Sequence, residues 1–454
     1  MKVLKFGGTS VGTVASLRNV KSIVENCTES VIVVVSALGG LTDRLIATAK
    51  LAEEGDMAYR AECEAMKIRH HDIINELVPQ ERQLLVSSQV ELLFDKLGNL
   101  YKGISLIEEL SPRSLDKVVS FGERLSSIIV SNIIKGAELF DSMSFIKTLR
   151  RFGKHVLDDD ASQKLIHQTF DGKKFEVAVV PGFISTDSDN IITNLGRGGS
   201  DYTAAILAAA LNADVLEIWT DVDGFMTADP RIVKNTRIID RLSFIEAMEL
   251  CNFGAKVIYP PTIYPVFHKD IPIFIKNTFN PSAPGTCISE NAHPTATPQV
   301  RGVSSVTESA LMTLSGSAGT EANFTTKVLN VMARNSISVF LVSAHNDGAS
   351  VAFALAKSDM EHACDALMKE FAPQMETGEL APLLTDSNLS TIAVVSENMR
   401  NATGIVEQVE NVLRSNTIEI RAFSQGAPES SIAFVIPPEQ RIAALQLVHD
   451  CFFA

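Results

Sequence analysis

Residues 31–38 read VIVVVSAL, with serine as the one polar side chain. A strand with one face in water alternates polar and apolar residues, whereas a run this apolar must be covered on both faces. The runs 3–6 (VLKF), 177–184 (VAVVPGFI), 215–222 (VLEIWTDV) and 271–277 (IPIFIKN) also read as strands. Between them, 14–25 and 202–211 carry apolar residues at helical spacing. Strands alternating with helices dictate an α/β fold, a mostly parallel sheet sandwiched between helices. Residues 43–135 read as a helical insertion. At 454 residues the chain exceeds one ordinary domain, so two or three are expected. A stretch dense in Pro, Ser, Thr and Gly over 280–303 marks the boundary.

Beyond the boundary the sequence repeats. VLNVMARNSISV (328–339) aligns with VENVLRSNTIEI (409–420), and SVAF (350–353) with SIAF (431–434), both at an offset of 81 residues. One offset serving two separated blocks points to duplication. Phe324, Val328, Val331 and Met332 in one copy, and Ile405, Val409, Val412 and Leu413 in the other, form one buried helix face. A strand precedes each helix and two follow, giving a β-α-β-β unit made twice. Such a unit is either a repeated structural module or a paired small-molecule sensor.

The balance of 40 basic against 54 acidic residues, a net charge of −14, argues against a general nucleic-acid surface and an anionic-membrane binder. Six scattered cysteines with no C-x-x-C pair fit a reducing cytoplasm rather than a zinc site or a disulfide framework. No apolar run approaches the roughly 20 residues of a membrane span. The chain opens directly on a strand, with no signal peptide in view, so a cytoplasmic protein is expected.

The chemistry gathers in loops at strand ends. In KFGGTSVG (5–12), Lys5 closes a strand and Gly7 and Gly8 leave backbone N–H groups open to an anion before a helix begins. The alternative is a tight turn with a solvated lysine, since neither common phosphate-loop pattern is matched. In NLGRGGSDYTAA (194–205), glycines let the backbone crowd a ligand, Arg197 can grip a carboxylate with two bonds, and Asp201 precedes a helix. Asp201 is either an N-cap or a partner for a lysine or a magnesium–nucleotide. TDVDGFMTADPR (220–231) places Asp221, Asp223 and Asp229 too irregularly for a calcium loop and also fits a polar turn. SALGGLTD (36–43) offers the Ser36 and Thr42 hydroxyls. Glu123 in FGER and Lys256 in NFGAKVIYP would, taken singly, be solvated charges. Because the carboxyl ends of parallel strands converge, these loops are expected to meet in one cleft holding a polyanion and a zwitterion.

These pieces resemble aspartate kinases of the amino acid kinase family: KFGGTSV, GE at 122–123, GRGGSD at 196–201, TDVDG…TADPR and FGAKV, in order and at similar spacing. The C-terminal repeats resemble the tandem ACT domains of those enzymes, so the resemblance covers essentially the whole chain. It extends to the kinase half of bifunctional aspartokinase–homoserine dehydrogenases, through IWTDVDG, AMELCNFGAKV and IKNTFNPSAPGT. The resemblance implies a three-layer α/β/α kinase domain over 1–295, a linker over 296–308, and two α+β, ferredoxin-like ACT domains over 309–385 and 386–454. The closing residues fall to either ACT domain, because the two interleave in the family.

The implied reaction is phosphorylation of the L-aspartate side chain by ATP with Mg2+, giving 4-phospho-L-aspartate. By the same resemblance Lys5, Arg197 and Asp201 are catalytic, and Ser36, Thr42, Glu123, Phe183, Arg197 and Ser200 bind aspartate, Glu123 through its ammonium. Lys5, Gly7, Gly8, Thr220, Asp221, Met226, Arg231, Lys256 and Val257 bind nucleotide. Met226 stands where many relatives carry tyrosine and offers apolar contact without a hydroxyl. Implied partners are aspartate, ATP, a second copy of the chain in a homodimer or dimer of dimers, and a feedback effector, threonine or lysine. Gln425 matches an effector position, whereas its counterpart in the first repeat is Ala344. Two other readings stay open: another amino acid kinase of the same fold, and a non-catalytic amino-acid sensor.

Overall fold

The structure is a computed structural model. It describes residues 1–151, 154–290, 300–316, 323–344, 350–396, 399, 404–425 and 430–454. Contacts divide the chain into two compact units, Met1–Gly224 with Pro261–Glu290, and Phe225–Pro260 with Asn291–Ala454.

Seven strands of the first unit form its main sheet: β1 (Lys2–Phe6), β2 (Val31–Val35), β3 (Ala137–Leu139), β4 (Val177–Pro181), β5 (Val215–Thr220), β6 (Ile273–Asn277) and β7 (Thr286–Ile288). They pair in the order β7-β6-β5-β1-β2-β4-β3, all parallel except the β6–β7 pair. The apolar runs explain the layering. Leu4, Phe6, Val31, Val33, Val35, Val177 and Val179 share one core with residues of helices α1 (Val14–Glu25), α2 (Leu41–Glu53), α3 (Ala58–Leu77), α4 (Gln80–Ile107), α5 (Pro112–Val119) and α6 (Phe121–Ile133). The alternate residues Val3, Ile32, Val34, Ala178 and Val180 are equally buried on the opposite face. There α8 (Gly199–Ala210), preceded in the chain by α7 (Asp159–Phe170), packs across β1, β2 and β5. The expected helical insertion at 43–135 is α2 to α6. Because β1 lies between β2 and β5, the connections leaving it and its neighbours open a crevice at their carboxyl ends.

The second unit contains α9 (Phe244–Asn252) and an antiparallel sheet of β8 (Gly302–Ser315), β9 (Val339–Ala344), β10 (Ser350–Ala356), β11 (Leu384–Val395), β12 (Ala422–Gln425) and β13 (Ser431–Ile436), in the order β9-β10-β8-β11-β13-β12. Its helices are α10 (Phe324–Arg334), α11 (Met360–Glu376), α12 (Ile405–Ser415) and α13 (Arg441–Phe453). The duplication extends to single atoms. Asn335 and Asn416 both cap a helix and donate to Val331 O and Val412 O, each at 2.8 Å. Each is followed by a left-handed residue, Ser336 and Thr417, at φ 57° and 56°. Val412 alone of the eight repeat positions is half-buried rather than buried.

The long strands β8 and β11 serve both lobes. Residues 309–315 of β8 carry Ala310, Met312 and Leu314 into the core with α10 and α11, whereas 302–306 carry Val303 into the core with α12 and α13. Residues 296–308 were expected to be linker. Of these, 296–299 lie outside the described residues and 302–308 are strand, because pairing with β11 satisfies their backbone. The closing helix α13 packs on the second lobe's core, with α12. Contacts also divide the expected 1–295 kinase domain: residues 225–260 group with the C-terminal sheet, since Ala228 and Val233 are buried with Val303, Val394 and Leu445. Among the described residues no helix is long and apolar enough to cross a membrane, and all six cysteines are free.

Candidate active site

Each strand of the first unit ends where its sequence turns to glycine and hydroxyls. After β1, Gly7 donates its N–H to Trp219 O at 3.1 Å. The chain then turns through 8–12 before α1, whose N-terminus is held by a reciprocal Thr13–Ser16 capping box. After β2, the 36–40 turn delivers Thr42 into the first turn of α2. After β4, Phe183 takes a left-handed conformation at φ 66°, uncommon for a side chain of that size.

The 194–201 stretch answers to specific packing. Asn194 Oδ1 accepts the Gly196 N–H at 2.8 Å while its Nδ2 donates to Asp116 at 2.6 Å, which fixes the turn before Arg197. Gly198 is the N-cap of α8 in the left-handed region, φ 66°. A Cβ on Gly199 would lie 2.8 Å from the Phe183 ring, so only glycine fits. Asp201 makes no cap hydrogen bond. Its Oδ1 stands 2.5 Å from Lys5 Nζ in a contact without hydrogen-bond alignment, an ion pair between two largely buried side chains.

Glu123 is buried in the first turn of α6, contrary to the solvated charge its sequence alone suggests. Gly122 permits this, since a Cβ there would meet Ala37 Cβ at 2.7 Å. Burial pushes the Glu123 carboxyl up to about 8, against the opposing pull of the Ala37 N–H, its own N–H and Lys5. Its Oε2 has no hydrogen-bond partner. Nearby, Ser126 Oγ donates to Ser36 O at 2.7 Å, tying α6 to the 36–40 turn.

These side chains line one cleft of about 360 Å3: Lys5, Gly8, Ser36, Thr42, Glu123, Phe183, Arg197, Ser200 and Asp201 among them. Arg197 is exposed and, among the described residues, pairs with no carboxylate. One cleft thus collects two cations, a carboxyl with one unpartnered oxygen and a helix N-terminus, a set suited to a zwitterion beside a polyanion. Sequence reasoning missed the Asn194–Asp116 brace, which no local pattern signals because its partners lie 78 residues apart.

Other expected residues do not line this cleft. Gly7 does not, and Thr220 and Asp221 lie at the end of β5, where Thr220 Oγ1 donates to Asp221 Oδ1 at 3.2 Å. Asp223 accepts Asn277 Nδ2 at 2.8 Å and Asn280 Nδ2 at 3.2 Å, the polar turn its alternative reading described. Met226, Arg231, Lys256 and Val257 belong to the second unit. There Arg231 is held by two bonds on Asp229, at 2.9 and 2.7 Å, and stays exposed, as does Lys256, while Met226 and Val257 are half-buried. Gln425 and Ala344 end β12 and β9, both exposed, and Ser424 Oγ donates to Val342 O at 3.4 Å between those strands.

The amino acid kinase family model matches residues 1–277, and an ACT domain model matches 392–452. Lysine-sensitive aspartokinase 3 of Escherichia coli (strain K12) is 31% identical over 99% of both chains. The chain belongs to the aspartokinases of the amino acid kinase family. The crystal structure of E. coli aspartokinase III with aspartate and ADP (R-state) matches all of it at 30% identity and a TM-score of 0.87. The lysine and aspartate complex (T-state) of the same protein matches at 0.76. A bifunctional aspartokinase/homoserine dehydrogenase of Buchnera aphidicola subsp. Acyrthosiphon pisum (strain APS) is 32% identical over the whole chain, which spans 56% of that relative's length. The chain therefore spans about half the length of the bifunctional relatives and nearly all of the E. coli aspartokinase 3.

Proposed function

We propose that the chain transfers the γ-phosphoryl group of magnesium–ATP to the side-chain carboxylate of L-aspartate, giving ADP and 4-phospho-L-aspartate, the entry to lysine, threonine and methionine synthesis. The observation that carries this reading is the meeting of Glu123, Arg197 and the Lys5–Asp201 pair in one cleft. An aspartate side chain ionises near pH 4, so the nucleophile needs no base. A carboxylate oxygen attacks the γ-phosphorus and the bond to the β-phosphate oxygen breaks. The obstacle is the repulsion between two anions, which positioning and positive charge overcome.

In this reading Glu123 receives the substrate ammonium at its unpartnered Oε2, and Arg197 grips a carboxylate. Ser36, Thr42, Phe183 and Ser200 shape the pocket. Lys5, oriented by Asp201, neutralises the transferring phosphoryl with the Gly7 and Gly8 amides. Magnesium comes as part of the nucleotide substrate. Thr220, Asp221, Met226, Arg231, Lys256 and Val257 are assigned to the nucleotide by resemblance.

We further assign the paired lobes to feedback by lysine or threonine in a homodimer or dimer of dimers. Gln425 is a candidate effector contact, and the cytoplasm the site of action. Lysine complexed with the E. coli relative supports an amino-acid effector. Trapping the acyl phosphate as hydroxamate tests the central claim. Product from aspartate and ATP is expected. Product from another acid alone would move the chain within the family, and none from any acid would leave a sensor. Activity titrated with each amino acid, alongside light scattering, tests regulation and assembly.

A further inference from the structure

The turns after β1 and β2 lie backbone against backbone. A Cβ on Gly12 would stand 3.0 Å from Gly8 O and 3.2 Å from Gly39 N, and one on Gly39 would stand 3.0 Å from Gly8 O. A side chain at Gly12 or Gly39 would push the turns apart by a few tenths of an ångström, so glycine permits this close approach. The latch comes from α3. Arg69 Nη2 donates to Gly12 O at 2.7 Å and to Gly39 O at 3.0 Å.

This arginine is unusually placed. It is half-buried, and burial, ahead of the neighbouring Arg44 charge, lowers its pKa. Arg44 has a carboxylate, Glu62, at 2.8 Å. Among the described residues Arg69 has none. A desolvated guanidinium normally takes a counter-ion, and here two loop carbonyls are its partners. Arg69 does not line the cleft, yet the two turns it joins supply Gly8, Ser36, Gly39, Gly40 and Thr42 to it.

We propose that Arg69 is a positioning residue for phosphoryl transfer. A single guanidinium sets the spacing between the turn assigned to the nucleotide phosphates and the turn assigned to aspartate, and with it the approach of the two reactants. This rests on the function proposed above. Reacting atoms must come within about 3–3.5 Å, and a misplacement of about 1 Å costs on the order of 100-fold in rate.

Arg69→Ala is therefore expected to lower kcat by roughly 100-fold while KM for each substrate changes far less. Guanidinium ion at millimolar, non-denaturing concentration should restore part of the rate, and equal ammonium should not. Arg69→Lys, which keeps a donor but not the planar fork, should fall between, and it stands in if the alanine variant does not fold. A purely structural role would lower the melting midpoint and leave the kcat of the folded protein intact. Parent-like kcat in folded variants, without guanidinium response, would overturn the proposal. An inactive parent would instead overturn the kinase reading. Amide hydrogen exchange reads the latch either way: Arg69→Ala should speed exchange in 7–12 and 36–40 together, and unchanged exchange in both would refute it.

Discussion

In the cleft of the first unit, Glu123 is buried with an unpartnered oxygen, and Phe183 holds a left-handed backbone. At the centre of the second unit's sheet, buried Thr391 donates to buried Ser309 at 3.0 Å, and Ser390 donates to Thr307 O at 2.7 Å. These sheet hydroxyls are buried with partners already in place. In the cleft Glu123 Oε2 is buried without one, and in the proposed function the substrate ammonium supplies it. Polar groups held ready for a ligand work against the stability of the empty protein. Changes in the cleft should therefore be read in rate, and changes in the lobes in stability.

The largest expected effect breaks that comparison most directly. Arg197→Ala should lose about 10²–10⁵ in rate, judged from typical losses of cationic or donor contacts to a transition state. Its melting midpoint should stay unchanged, since the exposed guanidinium pairs with no carboxylate among the described residues. Steady-state kinetics with calorimetry checks both, and near-normal turnover would remove Arg197 from the site.

Next come the paired phenylalanines. Phe353 and Phe434 are fully buried at corresponding places in the two lobes, each in its own core. Either change to alanine should cost about 3–5 kcal/mol. Because the cores are separate, the double variant should cost the sum to within about 0.5 kcal/mol. Denaturant unfolding measures this, and strong coupling would mean that the shared strands β8 and β11 make the lobes one cooperative body.

Glu123→Gln should raise KM for aspartate about 10- to 100-fold, the range of a hydrogen bond to a charged group, with a smaller change in kcat. A titration adds a sharper signature. In the empty protein the carboxyl ionises near 8 rather than its ordinary 4.5. Between those values the native state binds more protons than the unfolded one, so this group's contribution to stability falls as pH rises. Aspartate, whose ammonium favours the ionised form, should bind more tightly as pH rises toward 8. Both trends should vanish in the glutamine variant, and a pH-independent KM in the parent would contradict the assignment.

The smallest effect has the opposite sign. His70 is fully buried in α3, its Nδ1 bonded to Met66 O, and burial lowers its pKa from 6.5 to about 4. Between those values the unfolded chain binds the extra proton, so the fold should weaken as pH falls from about 6.5 to 4. His70→Leu should flatten that limb and leave neutral-pH activity intact. Unfolding curves at several pH values would show it.

The layers and the repeat were legible because they rest on periodicity. Runs such as 31–35 have no polar face to turn outward, and the 81-residue offset lands on matching Asn caps and matching left-handed residues. The site was legible in part. Its glycines and charges stand at strand ends, where the parallel topology gathers them. The burial of Glu123 was not visible, because it depends on Gly122 meeting Ala37, 85 residues earlier in the chain.

Local patterns of apolar side chains were enough to mark the buried strands of the first sheet, its helical insertion and the duplicated C-terminal unit, though not the strand over 302–308. Folding alone brings Lys5 to Asp201, leans Asn194 on Asp116, ties two glycine turns through Arg69 and packs Ala228 and Val233 in the second lobe's core. Each depends on distances between residues far apart in the chain, and those distances exist only once the sheet has assembled and excluded water around them.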